Sequence, residues 1–101
     1  MQNVNILFEG DVDDVDIICV PNKIAENIEY FTDLYFTWMY VNINSHTYWR
    51  VKDDGTKILN LETESFVWWL NSQCNYQNSN EKAYIVIQHT HLDPKLTTTY
   101  F

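Results

Sequence analysis

Residues 21–43 read PNKIAENIEYFTDLYFTWMYVNI, and the rest of the chain must pack around whatever they form. Ile24, Ile28, Phe31, Tyr35 and Trp38 recur at alternating steps of four and three. At 3.6 residues per turn those side chains share one face of an α-helix. Leu34 and Val41 widen the stripe, while Glu26, Asn27, Glu29 and Asp33 fall mostly outside it. Asn22 suits a helix cap, and Pro21 keeps the preceding strand from running on. The spacing predicts a helix through Asp33 and on to Tyr40. Residues 35–43 are also rich in the aromatic and β-branched side chains that strands favour.

Working outward, Val4, Ile6 and Phe8 alternate with Asn5 and Leu7, as in a strand with one buried face. Residues 9–14 (EGDVDD) make an acidic turn with Gly10 as its permissive point, and residues 15–20 form a second strand, apolar apart from Asp16. The two read as an antiparallel hairpin, the second strand lying inside the sheet. Residues 47–52 and 57–61 form a further strand pair about the Asp54-Gly55 turn. Thr63 is placed to cap a helix over residues 64–74, in which Phe66, Val67, Trp69 and Leu70 cluster while Trp68 points elsewhere. Residues 75–80 (NYQNSN) are a polar loop, and residues 83–89 read as a central strand with Ile85, Val86 and Ile87 buried. Asp93-Pro94 ends regular structure, and residues 96–101 add an edge strand or drape over the core. The order β-β-α-β-β-α-β predicts one α+β domain, two helices packed on a mainly antiparallel sheet.

The 101 residues carry six Lys and Arg against fourteen Asp and Glu, a net charge of −8. Eight of those acids (Glu9, Asp11, Asp13, Asp14, Asp16, Glu26, Glu29 and Asp33) lie within residues 1–33, where Lys23 is the only base. Such a field repels nucleic acid and anionic membrane and attracts basic protein surfaces. Aromatic and apolar content excludes disorder, and neither a leader peptide nor a membrane-spanning run is read, so the expected compartment is the cytoplasm. Cys19 and Cys74 read as reduced thiols.

Chemistry-bearing patterns are sparse. The DVDDVD run at residues 11–16 lacks the mid-loop glycine and terminal glutamate of a calcium loop. His89 and His91 share a strand face at ligand spacing, but no third ligand accompanies them, and His46 stands apart. With only Gly10 and Gly55, there is no phosphate-cradling loop. No serine or cysteine is marked as activated. The expectation is a protein without enzymatic activity, cofactor or metal. Four tryptophans and seven tyrosines exceed what one small core usually hides, so some rings belong at an interface.

His46-Thr47-Tyr48-Trp49, together with residues 63–71 (TESFVWWLN), resembles small immunity proteins of contact-dependent growth inhibition and related polymorphic toxin systems. The resemblance implies a bacterial protein that binds one cognate toxin domain, often a nuclease such as an RNase, and covers its active site or substrate groove. The acidic charge points to the same kind of partner, a basic nuclease, with Glu9, Asp11, Asp13, Asp14 and Asp16 as first contacts and Glu26, Glu29 and Asp33 extending the patch. A phage-encoded acidic inhibitor of host defence, such as an anti-CRISPR or anti-restriction nucleic-acid mimic, fits the size and charge equally well. Metal analysis separates a third class, a small metal-binding domain or enzyme, from both.

Overall fold

A computed structural model describes residues 1–74 and 80–101; the expected loop at residues 75–80 lies, apart from Asn80, outside them. The elements run β1 (Gln2–Leu7), β2 (Val15–Val20), α1 (Asn22–Ala25), α2 (Ile28–Val41), β3 (Trp49–Val51), β4 (Lys57–Leu59), α3 (Thr63–Gln73), β5 (Tyr84–Thr90) and β6 (Thr97–Tyr100). Four strands form the main sheet in the order β5-β2-β1-β6, while β3 and β4 pair as a separate ribbon. β2 is antiparallel to both neighbours, and β6 runs parallel to β1. This is an α+β fold with helices packed on a mainly antiparallel sheet.

β1 and β2 form the expected hairpin, with Val4 opposite Ile18 and Ile6 opposite Asp16. Val4, Ile6, Ile18 and Val20 are fully buried, in one core with Ile24, Tyr35, Phe66 and Leu70 from the helices. The expectation of a single buried face for β1 is corrected. Asn5, on the opposite face, is also fully buried, because the chain between β5 and β6 crosses over it. Its side-chain amide donates to the Asp93 carbonyl at 2.9 Å and to Thr98 Oγ1 at 3.2 Å, and its carbonyl accepts the Asp93 N–H at 3.3 Å.

β5 is an edge strand, not a central one. β6 occupies the free side of β1, which leaves β5 outermost, and Val86 and Ile87 are 46% and 48% exposed. Its start is set by Asn71, whose side chain donates to the Ala83 carbonyl and accepts the Ala83 N–H, both at 2.9 Å. The C-terminal tail does both things expected of it. β6 pairs with β1, and Phe101 beyond it packs its ring against Phe8, Tyr35, Phe36 and Phe66.

The long helix is broken. Asn27 turns its side-chain amide back onto the Lys23 carbonyl at 2.9 Å, and its own N–H reaches Ile24 at 3.1 Å. This is the competition with backbone pairing that asparagine offers mid-helix. Asn22 is the first helical residue and caps nothing; Pro21 holds the cap position. α2 buries Ile28, Thr32, Tyr35 and Met39, whereas Leu34 and Val41 point outward instead of widening the core stripe. The helical reading wins over residues 35–41, and Asn42 ends it by donating both backbone and side-chain N–H to the Trp38 carbonyl.

α3 begins at Thr63, with Glu62 as its cap in place of Thr63. Glu62 and Ser65 exchange side-chain and backbone hydrogen bonds, a capping box that satisfies two orphan donors. Trp68, expected to stand apart, packs against Trp38, His46 and Tyr48 in a second ring cluster behind the core.

Candidate functional site

The turn joining β1 to β2 carries the densest run of carboxylates, and local chemistry fixes its shape. Glu9 and Gly10 both take positive φ, of 51° and 76°. Two successive left-handed residues reverse the chain sharply, and the second is a glycine. Asp11 accepts the Asp13 N–H on its side chain at 3.0 Å, and the Asp14 N–H reaches the Asp11 carbonyl at 3.3 Å. The Phe101 carbonyl accepts the Glu9 N–H at 3.2 Å, and the Leu92 N–H donates to the Val12 carbonyl at 2.9 Å. The acidic tip is therefore tied to both the tail and the β5–β6 crossing.

Two histidines complete that attachment. His89 Nδ1 lies 2.7 Å from Asp14 Oδ1, and His91 Nδ1 lies 3.1 Å from Asp13 Oδ1. The hydrogen bond to Asp14, then that carboxylate's charge, holds the His89 pKa above its ordinary value. His89 takes φ 57° where β5 bulges against β2, so the two histidines each face an aspartate and do not converge on a common point.

Asp16 has a different job from the one its place in the acidic run suggested. It is only 4% exposed. Its carboxyl group accepts from Thr63 Oγ1 at 2.5 Å, from the His89 N–H at 3.1 Å and from Gln88 Nε2 at 3.3 Å. It thus joins the hairpin to the start of α3 and to the β5 bulge. Its expected role as a first contact for a partner is corrected: those three hydrogen bonds and its burial leave it inside the fold.

Above Asp16 lies an open cleft of about 320 Å³, lined by Phe8, Asp14, Asp16, Glu62, Thr63, Glu64, Gln88 and His89. Four of those eight are carboxylic acids, and Gln88 also donates to Glu64 Oε1 at 2.8 Å. Glu62 and Glu64 were not singled out from sequence as partner contacts. At the start of α3 both also complement the positive end of the helix dipole. Among the described residues, no group of three or more His, Cys, Asp or Glu is placed to hold a metal ion.

The other expected contacts are exposed but lie elsewhere. Glu29 and Asp33 border a shallow groove with Thr32, Thr99 and Tyr100, beside β6. The cleft abuts β5, at the opposite edge of the sheet. Glu26 is exposed at the α1–α2 break. The eight N-terminal acids thus divide: Glu9, Asp11, Asp13 and Asp14 at the hairpin tip, Asp16 inside, and Glu26, Glu29 and Asp33 along the helices.

The ring-rich stretch at residues 46–49 serves packing. His46 is buried, its Nδ1 accepting the Tyr48 N–H at 3.1 Å, so Nε2 carries the proton and donates to the Met39 carbonyl at 3.0 Å. Trp49 donates its ring N–H to the His46 carbonyl at 2.7 Å, and Lys57 Nζ sits 4.1 Å from its ring centroid. All four tryptophans are at least half-buried, and among the described residues the exposed tyrosines are Tyr30, Tyr40, Tyr84 and Tyr100. Cys19, buried in β2, and Cys74, after α3, are free thiols, and burial pushes Cys74 up to about 11. No helix of the described residues is long and apolar enough to cross a membrane. No family model, curated protein or solved structure matches the chain.

Proposed function

We propose that this chain is a cytoplasmic protein inhibitor of the immunity type, which neutralises a basic nuclease toxin by laying an acidic surface over its substrate groove. One observation carries the reading. Glu9, Asp11, Asp13 and Asp14 project from a single turn that its neighbours clamp in place, with Glu62 and Glu64 beside it along the cleft. A nuclease groove must present Lys and Arg to phosphates. Carboxylates already held in position lose little conformational freedom when they meet those cations. Opposite fields also raise association toward about 10⁸–10⁹ M⁻¹s⁻¹ at low salt.

The partner is found by capture from the native host followed by identification of the bound protein, and the role of the tip is then read from kinetics. Reversing Asp11, Asp13 and Asp14 to lysine together should slow association at least tenfold at 20 mM salt and flatten its salt dependence. Unchanged association rates would remove the hairpin tip from the interface. Glu64→Lys, at the mouth of the cleft, should have a smaller effect of the same sign.

A further inference from the structure

α2 is apolar on two opposite faces, and among the described residues only one of them packs into the core. Ile28, Thr32, Tyr35 and Met39 point into the core. Half a turn away, Tyr30, Leu34, Thr37 and Val41 recur at steps of four, three and four and form a second stripe. Tyr30, Leu34 and Val41 are 64%, 42% and 71% exposed, and Tyr40 beside them is 73% exposed. At 1.5 Å per residue the stripe runs about 16 Å along the helix. A surface helix ordinarily turns charged and polar residues outward. An outward row of tyrosine, leucine and valine marks a surface that another molecule covers.

The charge around the stripe selects what that molecule is. Glu29 and Asp33 lie along one flank of the stripe, with Glu26 just before α2, and no Lys or Arg occurs from residue 24 to residue 49. A second copy of this chain would bring like charges together, so self-association through this face is disfavoured. A partner with an apolar centre and a rim of Lys and Arg meets both features. Tyrosine is also among the side chains that carry most binding energy at protein interfaces. We infer that the outward face of α2 is a docking surface for a cationic, apolar-centred protein segment, with Tyr30, Leu34, Tyr40 and Val41 as anchors and Glu29 and Asp33 as its charged flank. The inference rests on the inhibitor reading for its biological partner but concerns a different surface from the hairpin tip. It makes the tip the steering element and α2 the element that retains the partner.

Two synthetic probes separate the two surfaces: a 14-residue amphipathic Leu/Lys peptide, and an oligolysine of equal charge. Each is titrated into the intact protein, with amide shifts followed by NMR. The Leu/Lys peptide should bind at least tenfold more tightly than oligolysine and shift amides of residues 29–41. Tyr30→Ser with Tyr40→Ser, both at exposed positions, should weaken the Leu/Lys peptide at least fivefold and leave oligolysine unaffected. Asp11→Asn, Asp13→Asn and Asp14→Asn together should alter Leu/Lys affinity by less than twofold. Equal affinity of the two peptides, with shifts confined to the hairpin tip, overturns the α2 surface and leaves the acidic tip standing. Leu/Lys binding at α2 with no oligolysine response at the tip does the reverse. Absence of any shift at α2 with either probe rejects the inference.

Discussion

Asp16 shows how one residue can be misjudged from its neighbours. In DVDDVD it looks like one more wet carboxylate, yet it alone occupies a β2 position facing the helices, opposite Ile6. Strand alternation puts Asp16 on the same face as Ile18 and Val20, so its inward direction was legible. The partners were not, since Thr63 and His89 reach it from 47 and 73 residues away. Asp16→Ala removes three hydrogen bonds and strands the Thr63 hydroxyl, and should cost about 3 kcal/mol in urea denaturation. Asp16→Asn, which keeps part of the acceptor capacity, should cost about half as much. A loss below 0.5 kcal/mol for both would mean that the contacts are incidental. His89 gives a signed pH dependence. Its folded pKa lies above the ordinary 6.5 because Asp14 favours the protonated ring. The stabilisation is therefore fully present below pH 6.5 and fades as pH rises through the folded value. Asp14→Asn should lower the stability of the protein at pH 6 and make little difference at pH 9. In an NMR titration the same substitution should bring the His89 midpoint down toward 6.5. A midpoint that stays put would show that the 2.7 Å contact does not persist in solution.

Elements were readable where their cause is local. The β1–β2 hairpin, the Asp54-Gly55 turn and the α3 stripe follow from alternation, positive-φ residues and helical spacing, all within a few neighbours. Gly55 does take φ 85°, with Asp54 accepting the Thr56 N–H at 2.9 Å. What failed was set at long range. β5 is as apolar as a central strand, but its position depends on where β6 pairs, and the parallel partner of β1 comes from the last residues of the chain. The break in the first helix needed the side-chain direction of Asn27, which composition does not give. The exposure of Leu34 and Val41 is informative in another way, because the fold gives no reason for apolar residues there and a partner would. Asn71 supplies a test at this scale. Its amide imitates a neighbouring strand to hold Ala83, and Asn71→Ala leaves a donor and an acceptor of that backbone unmet. The expected loss is about 2 kcal/mol. Hydrogen exchange should rise first in residues 83–86 and leave β1 protected. Uniform loss of protection across the sheet would show that β5 has no separate clamp.

Across the whole molecule the governing quantity is the surplus of acids. Fourteen acids face six bases, and the N-terminal third has Lys23 alone against eight acids. Such a surplus raises the energy of the compact state through self-repulsion while it draws in a cationic partner from a distance. Sequence fully determined the size of this field. It left open how the field is distributed, because sheet order decides that the cleft carboxylates and the α2 carboxylates lie toward opposite edges. Two consequences share this cause and can be measured on the isolated protein. Screening shortens from a length of about 30 Å at 0.01 M salt to about 10 Å at 0.1 M. Raising NaCl from 0.01 M to 0.5 M should therefore relieve repulsion and increase stability by about 0.5–1 kcal/mol, an increase of about 4 °C in Tm for a domain of this size. Glu26→Gln, Glu29→Gln and Asp33→Asn together should raise Tm at 0.01 M and halve the further gain on adding salt. These three are exposed on the helices, whereas Asp11, Asp13 and Asp14 each make a hydrogen bond, so the helix acids report on the field with less loss of structure. A Tm that falls or stays level on adding NaCl would mean that the folded chain feels no net repulsion. In that case the eight excess charges are too dispersed to steer a partner, and the acidic-inhibitor reading would lose its physical basis even with every contact at the hairpin tip in place.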